Sequence, residues 1–181
     1  WLSEQSSLRK IIGILGVLLP VLLFLFLWMD THYSAPLESI SHYYYTRVGS
    51  VFIIIVSLLG IFLLVYKGKE VIDFVFSSVA GLFAFCVIMF PTSNITDDCA
   101  GVSNNYSVTV LHQSDLRVMF HFISAGIFLS CLAYMSLFLF TKSDKPVSQR
   151  TEGKKMRNKI FRICGAMMVL ALLIIFAGFL G

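Results

Sequence analysis

In the stretch LHQSDLRVMFHFISAG, residues 111–126, an arginine, a histidine and a serine recur at i, i+4 and i+7. On a helix Arg117, His121 and Ser124 therefore share one face. A guanidinium offers a planar fork for phosphate or carboxylate, and an imidazole can gain or lose a proton near neutral pH. A second stretch, ESISHYYYTR at 38–47, adds Glu38, Ser39, Ser41, His42, three consecutive tyrosines and Arg47. Three neighbours cannot face one way on a helix, so at most one or two of Tyr43, Tyr44 and Tyr45 could line a pocket. The expected ligand-binding set is Ser39, His42, Tyr43, Arg47, Arg117, His121 and Ser124. The same residues also fit a plainer role, with the tyrosines as an aromatic belt at a membrane boundary and His121 as an interfacial histidine bonded to a neighbouring helix.

Metal chemistry has candidates but no diagnostic spacing. A zinc ion would draw on His42, His112, His121 and Asp115, yet there is no HExxH or paired CxxC. His112 and His121 are also too far apart for one helical ligand pair. A haem would need two axial histidines at compatible depths, and only His121 lies clearly inside an apolar run. No resident metal or cofactor is expected, and no catalytic residue is assigned. Cys86, Cys131 and Cys164 sit in apolar runs as small hydrophobes, and Cys99 has no evident partner outside them. The sequons at Asn94 and Asn105 are short enough to be incidental.

The elements that must position these groups follow from composition. With 57% hydrophobic and 13% charged residues, the chain exceeds what a soluble core needs, and an integral membrane protein is expected. Apolar runs near 10–29, 50–66, 71–90, 118–141 and 160–181 predict an all-α bundle of five spans forming one transmembrane domain over 1–181. Unbroken apolarity argues against alternating barrel strands. The first run, preceded by Arg9 and Lys10, is too long for a signal peptide and lacks a small-x-small cleavage site.

Lysine and arginine gather before the first run, between the second and third, and between the fourth and fifth, which predicts an inside amino terminus and an outside carboxyl terminus. The connectors 30–49 and 91–117 then face outward with all four histidines on or near that side. The second of them, with Val102, Tyr106, Val108, Val110 and Leu111, reads as an ordered cap with a short extended piece at 108–111. The net charge of +4 lies at the inner side, where it suits anionic lipid, and nucleic-acid binding is not needed to explain it. Ser77/Gly81, Ala80/Ala84 and Gly126/Ser130 follow small-xxx-small spacing and are expected at helix contacts. Pro20 is expected to kink the first span, Pro91 to end the third, and Asp73 to stay solvated at the inner boundary.

SAPLESISHYYYTRVGSVF after the first run, AGLFAFCVIMFPT closing the third and HFISAGIFLSCLAYMSLFLF opening the fourth resemble the domain-of-unknown-function 998 membrane proteins. More distantly, they resemble the Frag/DRAM/Sfk type. The resemblance spans most of the chain and implies Ser39, Ser41, Phe90, Pro91, Thr92 and His121 as pattern positions. It supports architecture more than activity, and His42 stands where such relatives commonly carry an acid. Those relatives tend to have six spans, so the Trp1 start and five runs fit a fragment lacking a further helix. Three functions follow: a protein whose bundle mouth binds a lipid headgroup or small polar ligand, an accessory subunit with membrane-protein partners, and a membrane-embedded hydrolase using a serine or a bound metal. The first is the leading expectation, and the protein is taken as more a binder than an enzyme.

Overall fold

The computed structural model describes residues 2–32, 34–68, 70–95, 107–143, 146 and 149–180. The side chains named above at Cys99, Val102, Asn105 and Tyr106 lie outside them, as do Trp1 and Gly181. The described residues are helical apart from connectors and one isolated antiparallel bridge, Thr46 to Ser107. Helix α1 spans Leu2–Thr31, followed by a 3-10 helix Ile40–Tyr45, α2 Gly49–Val65, α3 Val71–Met89, α4 Asp115–Tyr134 with a π-helical continuation Met135–Leu139, and α5 Glu152–Leu180.

Four stretches, Lys10–Thr31, Val71–Met89, Asp115–Leu139 and Glu152–Gly178, are long and apolar enough to cross a membrane. The fifth apolar helix, Gly49–Val65, is shorter. Leu18, Val21, Phe24, Leu170, Leu173 and Phe176 are among many large apolar side chains left exposed on the outside. Water does not tolerate so continuous an apolar surface and lipid does, so these helices point to a multi-pass membrane protein.

Helix bounds differ from the apolar runs where polar residues are themselves good helix material. Glu152, Lys154, Lys155 and Lys159 have high helix propensity, so α5 begins eight residues before its run. Helix α4 begins at Asp115 because the Ser114 side chain caps it, accepting from the Arg117 amide at 3.4 Å. Helix α1 runs through Pro20 and closes on His32, whose amide donates to the Trp28 carbonyl at 2.8 Å. His32 adopts φ 55°, the left-handed conformation that commonly ends helices.

Each helix packs chiefly on its neighbours in sequence, so the five stand in a row with α3 at the centre and α1 and α5 at the edges. This alternation brings residues 34–48, 90–95 and 107–114 to one end, the tyrosine end. The described residues among 66–70 and 140–151 come to the other, the basic end.

The α2–α3 contact is the tightest. Ser77, Ala80 and Ala84 are fully buried, and a Cβ on Gly81 would stand 2.8 Å from the Gly60 carbonyl oxygen and 2.7 Å from Leu64 Cγ. The expected Gly126/Ser130 contact does not form: nothing lies within 4 Å of a Cβ on Gly126, and Ser130 is exposed. Spacing shows that small residues share a face, but not that a helix covers it. Asp73 also departs from expectation, being buried at 4% exposure. Its carboxylate accepts from the Glu70 amide at 3.2 Å in a reciprocal cap at the start of α3.

Gly81→Val should cost about 1–3 kcal/mol of stability by overpacking against backbone. Gly126→Ala should be neutral or slightly stabilising, since a helical glycine carries an entropic cost of about 0.5–1 kcal/mol. Thermal unfolding of the detergent-purified protein measures both, and equal effects would contradict this packing.

Candidate functional site

The tyrosine end is built on the chain leaving α3. Phe90 donates its amide to the Cys86 carbonyl at 2.9 Å, the last such bond of α3. Pro91 follows with no N–H to offer the Val87 carbonyl. In an apolar surrounding each carbonyl without a donor is costly. Side chains from two other elements supply the donors. His121 Nδ1 meets the Phe90 oxygen at 2.7 Å, and its ring also lies against the Val87 carbonyl. Arg117 Nε donates to the Pro91 oxygen at 3.2 Å, and the Tyr45 hydroxyl donates to the Thr92 oxygen.

The His121 contact fixes its tautomer. A carbonyl oxygen only accepts, so Nδ1 carries the hydrogen, and in the neutral ring Nε2 is a bare acceptor. Nε2 faces Ser41 Oγ at 3.1 Å, so the serine donates. His121 is 3% exposed, while Ser41 is half-buried. The buried ring thus lies against a half-buried serine.

One turn earlier on α4, Arg117 also donates from Nη1 to the His112 carbonyl at 2.6 Å. Its third nitrogen, Nη2, is buried and has no hydrogen-bond acceptor among the described residues. The guanidinium lies beside the Tyr45 phenol. Burial pushes that phenol above its ordinary pKa, with Arg117 opposing, so Tyr45 stays a hydroxyl and a donor.

The returning connector is tied down from both sides. Val108 and Thr109 amides donate to the Tyr45 carbonyl at 2.9 and 3.2 Å. Asn94 brackets Leu111, donating to its carbonyl at 2.6 Å and accepting from its amide at 3.1 Å. The extended piece expected at 108–111 thus lies against the 3-10 helix, and the Asn94 amide serves the backbone.

The residues expected to form one site divide into groups. Arg117 and His121 come together, joined by Ser41, whereas Ser39 pairs instead with His42 at 3.3 Å on the exposed side. His42 is electrostatically coupled to His121, and burial keeps its pKa below the ordinary 6.5, Glu38 opposing. Tyr43 is buried in the apolar core, Ser124 lies buried one turn deeper than His121, and Arg47 pairs with Asp30 at 3.4 Å beside Phe26 and Val51. Sequence reasoning missed Tyr45 and gave Ser41 no contact of its own. Both contacts belong to the 3-10 segment, in which Ser41 reaches the His121 ring and the buried Tyr45 reaches the Thr92 carbonyl.

Among the described residues no three His, Cys, Asp or Glu side chains gather as a metal would require. The candidates His42, His112, His121 and Asp115 are engaged separately or apart. No known family model matches the chain, and no curated protein or solved structure shows significant similarity to it.

Removing the Tyr45 hydroxyl leaves the Thr92 carbonyl, 2% exposed as a residue, without its donor. Tyr45→Phe should therefore cost about 1–3 kcal/mol. Tyr43→Phe, which removes a hydroxyl that makes no hydrogen bond among the described residues, should stay within about 0.5 kcal/mol. Thermal melts of the two variants side by side check the contrast.

Proposed function

We propose that the chain is a five-span membrane protein whose mouth at the tyrosine end binds a lipid headgroup or another small polar ligand, with that end outside and the amino terminus inside. The carrying observation is the buried, acceptor-less Nη2 of Arg117, one turn from the Ser41–His121 pair. A guanidinium nitrogen left unpaired is costly. A phosphate or carboxylate oxygen supplies the missing acceptor, and Ser41 adds a hydroxyl that a ligand can reach.

Lys67, Lys142, Arg150, Lys154, Lys155, Arg157 and Lys159 at the basic end, against Arg47 and Arg117 at the other, support the orientation. The likeness to the domain-of-unknown-function 998 proteins belongs to the same reading. Five of its six positions, Ser41, Phe90, Pro91, Thr92 and His121, take part in the hydrogen bonds of the mouth, and the sixth, Ser39, bonds His42 on the exposed side.

One observation favours a second reading, a membrane-embedded hydrolase. Ser41, His121 and the Phe90 carbonyl stand as nucleophile, base and orienting acceptor. In that chemistry the Ser41 proton passes to Nε2 as Oγ attacks an ester carbon, and Arg117 stabilises the oxyanion.

Mass spectrometry of small molecules that co-purify with the wild type, Ser41→Ala and Arg117→Lys tests the binding reading. A ligand present in the wild type should be lost from both variants while their melting temperatures stay close to it. An identical complement in all three rejects the mouth as a binding site. A fluorophosphonate probe that labels Ser41 only when His121 is intact would favour the hydrolase.

The orientation is tested separately in intact cells, with native cysteines replaced. A cysteine at Val110 should react with an impermeant maleimide and one at Thr151 should not. The reverse pattern inverts the assignment.

A further inference from the structure

The basic end carries a feature that the mouth does not use. A cavity of about 830 Å³ lies among the π-helical segment, the residues after it and the early turns of α5. Two local irregularities shape it. The π turn places Leu137, Phe138 and Leu139 on its wall. Gly165 lets α5 approach so closely that a Cβ there would stand 2.6 Å from Leu137 Cγ. The contact is held by Ser136 Oγ donating to the Phe161 carbonyl at 2.7 Å and by Asn158 donating to the Thr141 carbonyl at 3.1 Å.

The wall is charged. Lys142, Arg150, Arg162, Glu70 and Asp73 all line the cavity. Lys142 serves both acids, 2.8 Å from Glu70 and 3.6 Å from Asp73, and the Glu70 hydrogen bond raises its pKa. The acids are thereby committed to the start of α3. Arg162, by contrast, makes no ion pair or hydrogen bond among the described residues. It is also the last charged residue before the uninterrupted apolar run 163–180, which sets its guanidinium where a spanning helix meets the headgroups. Below it the wall turns apolar, with Ala166, Leu137 and Phe138. A cation pair at the interface above an apolar wall is complementary to an amphiphile with an anionic head.

We propose that this cavity binds a phosphate group, that of an anionic phospholipid, with Arg162 as the principal contact, Arg150 beside it and an acyl chain lying over Ala166 and Phe138. The planar fork of an arginine suits phosphate oxygens, and the lipid-facing position favours a lipid as their source over a soluble phosphate. The inference does not rest on the reading of the mouth, since no residue is shared.

The test uses the full chain in detergent, titrated with phosphatidylglycerol or phosphatidylcholine in mixed micelles and followed by native mass spectrometry and thermal shift. Phosphatidylglycerol should bind and stabilise, and phosphatidylcholine should not. Arg162→Gln should weaken phosphatidylglycerol binding about tenfold, the scale of a charge-assisted contact, and Arg162→Lys should restore part of it. Arg157→Gln, an exposed cation on α5 outside the cavity wall, should change binding less than about twofold. Circular dichroism of each variant confirms that the helices remain. Stabilisation by inorganic phosphate alone, lost in Arg162→Gln, would keep the phosphate site and assign it to a soluble ligand. Equal retention of the two lipids, or equal losses in Arg162→Gln and Arg157→Gln, would overturn the proposal. His121→Gln should leave phosphatidylglycerol binding unchanged, so the two ends are judged independently.

Discussion

Pro91 sets the constraint on which the tyrosine end depends. By ending α3 without an amide of its own, it leaves carbonyls in a segment whose Pro91 and Thr92 are buried, where water is scarce. Three side chains are drawn in to meet the oxygens of Phe90, Pro91 and Thr92: His121 and Arg117 from α4, and Tyr45 from the 3-10 helix. Each must hold its position for the others to reach. The backbone of one short segment thereby fixes the height of α4 relative to α3 and the seating of the first connector above both. Chemistry at the mouth is built from the same groups, so an oriented imidazole and a partly satisfied guanidinium arise from structural need as much as from any ligand.

This dual use bears on how mutational effects there should be read. Deleting His121 would remove both the Ser41 contact and the Phe90 cap, and a loss of any bound molecule would then be ambiguous. Ser41 differs because the residue is half-buried and, among the described residues, its hydroxyl bonds to the ring alone. Conservative change at the outer edge of the cluster is more informative than removal of its buried centre.

The helical architecture was legible in the sequence because unbroken apolar blocks leave helices as the simplest bilayer solution, and each block lies in one of α1 to α5 apart from one or two residues at its end, the fourth running on through the π turn. What stayed hidden depended on phase and partners. The choice of Ser41 over Ser39 is made by a 3-10 turn of six residues, for which the string of polar and aromatic residues gives no period. Arg47 and Arg117 look alike in sequence, yet one meets Asp30 at the surface and the other the Pro91 carbonyl. Gly126 and Gly81 share the same spacing signal, but only Gly81 has a helix against it. Gly165 carried no such signal, because its contact is with a π turn that no local pattern announced. Asp73 was misplaced for a related reason: its neighbours in sequence are charged, but the cap and Lys142 that enclose it come from the folded arrangement.

The π turn at Met135–Leu139 also sets a phase. With its i to i+5 bonds it holds one residue more than the α turn it replaces. Seen that way, the basic end of α4 is one residue out of phase with the rest of the helix. Each residue turns an α-helix by about 100°, so excising one would swing Thr141 and Lys142 away from Asn158 and Glu70. The two ends of this helix therefore keep separate registers: the portion bearing Arg117 and His121 answers to the carbonyls after α3, and the portion beyond the bulge answers to α5.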